Sequence, residues 1–155
     1  MYKIIFSLIL CLFIAASSYA QIFITNIPDC SKVTFYEDNI IIGKCKLNVY
    51  MAYTNEQKIC GMLNFTDDTF VKDGMLFVDN DNKVKSHYFH TEGMKMDIRI
   101  MGVVKKVDKT YTVYDNDAKY SPPGIKSVTI YGSGVFETSE KKYQDGLNKC
   151  LTGIK

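Results

Sequence analysis

Short stretches of alternating or β-branched residues dominate the pattern of hydrophobic and polar positions along this chain. Between residues 46 and 53, apolar and polar side chains alternate with a period of two, which is typical of a strand with one buried face. Similar short stretches, separated by clusters of Asp, Asn, Gly and Pro, predict further strands. These strands are expected over residues 33–36, 40–42, 75–78, 86–89, 96–104, 111–114 and 128–131.

Two segments have short helical patterns instead. Thr54 followed three residues later by Gln57 matches a capping box, and apolar residues at helical spacing continue to Leu63. A second helix is expected over residues 135–143, closed by Gly146. Many short strands with two short helices predict a mainly β fold, either a compact β-sandwich or a barrel-like antiparallel sheet.

The first 20 residues form a separate segment. Lys3 precedes an apolar run over residues 4–16, and Ser18-Tyr19-Ala20 places small residues where a signal peptidase cleaves. The run is shorter than the roughly 18 residues that a membrane anchor needs. The sequence therefore predicts a signal peptide over residues 1–20, and one secreted or periplasmic β-rich domain over residues 21–155 with no transmembrane segment.

Composition narrows the class of partner. Nineteen basic residues against 17 acidic ones give a formal net charge of +2, with no run of Lys or Arg. Nucleic acid is therefore not an expected partner. Tyr and Phe number 11 and 9, and those in turn-rich segments favour contact with another protein or a glycan.

Removal of the signal peptide leaves Cys30, Cys45, Cys60 and Cys150. An even number of cysteines in an oxidising compartment predicts disulfides. The turn-forming residues 37–39 predict a hairpin with Cys30 and Cys45 at equal distances from its turn, so these two are expected to pair, leaving Cys60 with Cys150. A zinc site or a redox-active pair is the alternative, but the C-x-x-C spacing of such sites is missing.

The order of several motifs resembles a known family. These motifs are Ala52-Tyr53-Thr54, Gly61-Met62-Leu63, Gly74-Met75-Leu76-Phe77-Val78, Met96-Asp97-Ile98 and the region of Gly134. They resemble the domain-of-unknown-function family numbered one hundred and ninety-two, small bacterial and archaeal proteins often made with a signal peptide. The resemblance covers about residues 46–150, is most specific at Gly-Met-Leu-Phe, and implies a compact β-sandwich with one or two short helices.

The chain departs from that family at several polar positions. The family usually shows Gly-Leu-Met and then Arg, where this chain continues from Leu63 into Asn64-Phe65. Its Trp-Met-x-Asn-Thr and Pro-Leu-Asp stretches become residues 88–92 and Lys95-Met96-Asp97, and the glutamate usual in its last strand is absent from residues 128–131. The resemblance therefore implies a shared fold rather than a shared chemistry.

No enzyme motif is evident in the sequence. The two histidines are His87 and His90, and neither a G-x-S-x-G nor a phosphate-binding loop occurs. We therefore expect a non-catalytic binding or structural module without a cofactor. Its expected ligand-binding surface is a concave face near residues 88–94, formed by Tyr88, His90, Glu92, Asp97 and Met75.

A periplasmic copper-binding protein is the alternative function. Imidazole suits copper and thioethers favour Cu(I), so His87, His90, Met94 and Met96 are the candidate ligands. Against this hypothesis, both methionines correspond to apolar core positions in the family pattern. In a strand, moreover, the two histidines would face opposite sides.

We predict that export removes residues 1–20, because the apolar run ends at a favourable cleavage site. N-terminal sequencing of the secreted protein should give Gln21 as its first residue. Recovery of soluble protein that still begins at Met1 would contradict this prediction.

Overall fold

The computed structural model describes residues 28–114, 118–125 and 127–151, so the expected signal peptide lies outside the described residues. The strands are β1 (Tyr36–Ile42), β2 (Cys45–Ala52), β3 (Gly74–Val78), β4 (Lys85–Phe89), β5 (Ile98–Lys105), β6 (Thr110–Val113), β7 (Lys119–Ser121), β8 (Val128–Gly132) and β9 (Gly134–Ser139). The helices are α1 (Asn55–Cys60), α2 (Glu140–Lys142) and α3 (Asn148–Leu151), with a π-helical turn over Tyr143–Leu147 between the last two. The predicted mainly β class is confirmed.

Six strands close into a barrel-like sheet. Their order is β6-β1-β2-β3-β9-β5, and β5 pairs in turn with β6. Strand β7 pairs with the first part of the β5 edge whose last part pairs with β6. Strands β4 and β8 form a separate two-stranded sheet. The sequence predicted an antiparallel sheet, but two of the pairings are parallel. These are the pairing of β1 with β6 and that of β2 with β3.

The barrel wall separates two hydrophobic cores. Leu76 and Phe136 point into the barrel, where they join residues of β1, β2 and β5. Met75, Phe77 and Val135, at alternate positions of the same strands, belong to an outer core. The small sheet, α1 and the loops that follow them cover this outer face. Alternation along the strands therefore builds one core inside the barrel and another outside it.

The small sheet reaches the barrel where β8 crosses β5. A Cβ atom at Gly102 would lie 1.7 Å from the carbonyl oxygen of Tyr131, so a glycine is required for this close approach. The turn after β8 is fixed by Ser133, whose N–H donates to the Val103 carbonyl at 2.9 Å. These contacts hold the β4–β8 sheet over the outer core.

Two predicted elements are wrong. Residues 37–39 are not a turn, because β1 runs through them and the β1–β2 hairpin turns at Gly43, where φ is +60°. Residues 135–143 are not one helix: β9 occupies Gly134–Ser139, and helix begins after the cap residue Ser139. All six residues of β9 are buried. A strand buried on both faces lacks the period of two that would have identified it.

The four cysteines that the structure describes form disulfides, as predicted, but the predicted pairing is wrong. Cys30 pairs with Cys60 and Cys45 with Cys150, with Cα–Cα distances of 5.3 and 5.4 Å. The predicted pairing of Cys30 with Cys45 assumed the wrong hairpin turn. The first bond ties the chain before β1 to the end of α1, and the second ties β2 to α3.

Among the described residues, no helix is both long enough and apolar enough to cross a bilayer.

We predict that non-reducing peptide mapping will recover the Cys30–Cys60 and Cys45–Cys150 linkages. In the chain-entropy model, replacing Cys45 and Cys150 together by Ser should cost about 5 kcal/mol of the free energy of unfolding, against about 4 kcal/mol for Cys30 and Cys60. The difference follows from sequence separations of 105 and 30 residues. Denaturant titration measures both values, and a recovered Cys30–Cys45 peptide would contradict the fold.

Candidate ligand-binding site

A cavity of about 530 Å³ lies between α1, the outer face of the barrel and the small sheet. It is lined by residues 55 and 58–63, by Phe77 and Asp79, by residues 86–90, and by Met94 and Glu137. Most of the exposed wall is apolar, although about half of the lining residues carry a polar group. Volumes of this size are typical of small-molecule sites.

Local sequence fixes α1 as one wall of the cavity. The predicted capping box is confirmed, since the Thr54 hydroxyl accepts from the Gln57 N–H and the Gln57 side chain accepts from the Thr54 N–H. The Gln57 amide also donates to the Thr34 carbonyl at 2.7 Å. Gly61 ends the helix with φ at +43°, and a Cβ atom there would lie 3.2 Å from the Phe77 ring. The cap, the turn and the Cys30–Cys60 bond together hold α1 against the cavity.

The opposite wall comes from β4. His87 and Phe89 lie on the inner face of this strand, and the Phe89 ring meets the Phe77 ring edge to face at 5.3 Å between centroids. His87 Nε2 lies 3.0 Å from the carbonyl oxygen of Gly132, across the β4–β8 pair. The imidazole is therefore held in place by the small sheet.

A group of charged side chains lies at the edge of the cavity. Lys58 donates to Asp79 Oδ1 at 3.1 Å, and Lys85 Nζ lies 3.2 Å from Asp79 Oδ2 and 3.6 Å from Asp81. Burial alone would raise the pKa of Asp79, but the hydrogen bonds from Lys58 and Lys85 hold it below its ordinary value. The two lysines and two aspartates balance in charge.

Glu137 lies in the wall of the cavity that the barrel forms, among the residues of the outer core. It is 2% exposed, and its neighbours across the sheet are Met75 on β3 and Ile100 on β5. Its Oε2 atom accepts no hydrogen bond from any residue that the structure describes. Burial raises the pKa of Glu137 to about 8. Its carboxyl is therefore neutral at pH 7, where it can both donate and accept a hydrogen bond.

The structure brings several predicted site residues to this cavity. Tyr88 and His90 line it, Tyr88 with 74% of its surface exposed, and so do His87 and Met94 from the copper hypothesis. Residues 88–90 therefore flank a concave surface, and their role in ligand binding stays a prediction.

Other predicted site residues lie outside the lining. Met75 is fully buried beside Glu137, and Glu92 is exposed in a turn. Asp97 Oδ2 accepts from the Tyr120 hydroxyl at 2.9 Å.

The geometry adds no support to a metal site. No group of three His, Cys, Asp or Glu side chains is placed to hold a metal ion in the part of the chain that the structure describes. Of the four proposed copper ligands, Met96 is 4% exposed within the outer core, and His87 is directed at the Gly132 carbonyl. The copper hypothesis stays a prediction from residue type.

Sequence reasoning missed Glu137, the residue most unusual in its surroundings. Glu137 lies in β9, a segment whose pattern predicted a helix, so it was not considered as a strand residue. The usable signal was a single carboxylate inside Val135-Phe136-Glu137-Thr138, a stretch otherwise suited to a strand. Lys58 and Asp79 gave no such signal, because their pairing depends on packing between α1 and the end of β3.

A second depression of about 870 Å³ lies over β1 and β2. Asp73, which lines it, is already bonded, because its Oδ2 accepts from the Asn48 N–H at 2.7 Å. The smaller cavity, with a buried carboxyl in its wall, is the better candidate site.

Comparisons with known proteins bear on the fold alone. No family model matches this chain, and no curated protein matches it. It is similar in structure to a protein from Sinorhizobium meliloti described as a candidate transcription regulator, with a TM-score of 0.50 and 13% identity over 74% of this chain and 88% of that one. It also aligns with a protein of unknown function from Novosphingobium aromaticivorans, with a TM-score of 0.41 and 15% identity over 84% and 86% of the two chains.

We predict that Glu137 makes stability fall as pH rises. Its pKa is near 8 in the folded protein and near 4.5 in the unfolded chain, so the folded state binds more protons between these values. The free energy of unfolding should therefore fall by about 5 kcal/mol from pH 4.5 to above pH 8. Denaturant titrations at pH 5, 7 and 9 measure this slope, which Glu137→Gln should remove.

The control is Asp97→Asn, which removes a carboxylate outside the cavity and should keep the slope of the unchanged protein. Parallel slopes for the unchanged protein and Glu137→Gln would show that the Glu137 carboxyl is ionised in the fold.

Proposed function

We propose that this protein is an exported, non-catalytic binding module that takes a small molecule into the cavity between α1 and β4. The observation that carries this proposal is Glu137, a carboxyl that is 2% exposed, lines the cavity and has an oxygen without a hydrogen bond from the described residues. A buried polar group of this kind lowers stability unless something completes its hydrogen bonds. A ligand in the cavity would do so.

The chemistry of the walls supports binding. Phe77, Phe89 and Met62 supply apolar area, while Glu137 and Asp79 supply polar atoms that could fix the orientation of a ligand. A largely apolar cavity with a few convergent polar groups is the usual form of a small-molecule site.

A non-catalytic role is supported by the surroundings of the reactive side chains. The four cysteines that the structure describes are in disulfides. Ser86 and His87 both line the cavity, but as adjacent strand residues their side chains leave β4 on opposite faces. This separation disfavours their acting as a nucleophile and its base.

Export is supported by the apolar segment over residues 4–16 and by the two disulfides, which persist in oxidising compartments. A protein or glycan partner is the second candidate. It is favoured by Tyr88 and Tyr131, which are 74% and 52% exposed and lie at diagonal positions of the β4–β8 pair.

Titration with 1-hexanol, followed by amide chemical shifts of the full exported chain, tests the cavity as a binding site. We expect saturable shifts concentrated at lining residues such as Gly61, Phe77 and Phe89. Ile59 is 47% exposed and lines the cavity, so Ile59→Trp should narrow the entrance and weaken binding at least ten-fold.

The matched control is Val107→Trp, which adds the same ring at a 70% exposed position outside the lining and should leave binding unchanged. Shifts scattered over the surface, or equal binding by the Ile59→Trp variant, would refute the cavity as the site.

A further inference from the structure

We infer that the cavity selects a small organic cation, an ammonium group on an apolar body, and that Glu137 is the residue that pairs with it. This inference rests on the proposed function, since it names the class of ligand for the same cavity.

One buried polar atom in the wall of the cavity is left without a partner in the part of the chain that the structure describes, and it belongs to a carboxyl group. Glu137 Oε2 is buried and accepts no hydrogen bond within the described residues. The charge of Asp79 is compensated by Lys85, whose Nζ lies 3.2 Å from Asp79 Oδ2, and by Lys58, whose Nζ lies 3.1 Å from Asp79 Oδ1. Glu137 has no such ion pair among the described residues. A ligand ammonium would supply both a hydrogen-bond donor and the positive charge that this carboxyl lacks among the described residues.

Two of the donor groups in the lining are already engaged. Lys58 donates to Asp79 Oδ1, and His87 Nε2 lies at hydrogen-bond distance from the Gly132 carbonyl. A ligand carboxylate or phosphate would find no free cation beside Glu137 and would face its carboxyl. Anionic ligands are therefore disfavoured in the inner part of the cavity.

The walls suit the rest of such a ligand. The Phe77 and Phe89 rings line the cavity and pack edge to face, with 5.3 Å between their centroids. Aromatic faces attract cations through their quadrupoles. Met62 and Leu63 offer apolar contact for a hydrocarbon chain. An ammonium group offers up to three N–H donors to a carboxylate that has lost its proton.

Binding of a cation is coupled to the proton of Glu137. The free site holds a neutral carboxyl at pH 7, because burial raises its pKa to about 8. An ammonium ligand pairs with the carboxylate, so its binding releases one proton to solvent while no bond of the ligand changes. The affinity should then rise nearly ten-fold for each pH unit up to about pH 8.

The experiment compares hexylammonium with 1-hexanol and hexanamide, which share a similar chain but carry no charge. Isothermal titration of the full exported chain at pH 6, 7 and 8, in two buffers with different heats of ionisation, gives the affinities and the number of protons released. We expect hexylammonium to bind at least ten-fold more tightly than 1-hexanol at pH 8, with close to one proton released at pH 6.

Two variants locate the effect. Glu137→Gln should reduce hexylammonium binding to the level of 1-hexanol and abolish its pH dependence, while 1-hexanol binds as before. Asp97→Asn removes a carboxylate outside the cavity and should change nothing. If Glu137→Gln does not fold, proton release by the unchanged protein still decides the question.

The outcomes separate the two proposals. Hexylammonium that binds no more tightly than 1-hexanol, or without proton release, overturns the cation inference and leaves the cavity as a site for neutral ligands. Hexanamide binding that weakens above pH 8 would show that the neutral carboxyl donates to a ligand carbonyl instead. Failure of all three probes to bind at the cavity overturns the proposed function as well.

Discussion

The pairing of β5 on both of its edges is the constraint on which the molecule depends. β9 follows one edge of β5, while the other edge is shared by β7 at its start and β6 at its end. The β5–β6 pairing closes the barrel and thereby decides which residue of every strand faces inward. Phe136 then lies in the barrel, and Glu137, one residue later, lies outside it against α1 and β4. A shift of one residue in β9 would exchange them.

Local patterns in the sequence were enough to predict some helices and strands but not others. The capped helix α1 and the strands near residues 46–53 and 75–78 were predicted because their signals are complete within a few residues. The first half of β1 was mistaken for a turn because Glu37, Asp38 and Asn39 have the composition of a loop. Strand β9 was mistaken for a helix because both of its faces are buried, so its polarity does not alternate. In each case burial set by distant strands outweighed local preference.

The residues of the candidate site also differ in whether the sequence alone could identify them. Tyr88 and His90 could be found from sequence, since aromatic and imidazole groups near turns are recognisable by type. Glu137 could not be recognised as a buried acid, because the groups that exclude water from it come from α1 and β4, about 50 to 80 positions earlier in the chain. Its neutrality at pH 7 is a property of that packing. An ionisable group kept in an apolar layer lowers stability, which is the usual sign that its position serves something other than the fold.

Of the four cysteines that the structure describes, the first is joined to the third and the second to the fourth. A chain that crosses a membrane N-terminus first presents Cys30 and Cys45 to oxidants before Cys60 has emerged, and long before Cys150. Oxidation in order of appearance would close a loop around β1 that the barrel cannot contain, since Cys45 must reach α3. Escape from that loop requires attack by a free thiolate on the misplaced bond. From such a loop the native pairing is reached only by rearrangement of a disulfide, and oxidation alone does not produce it.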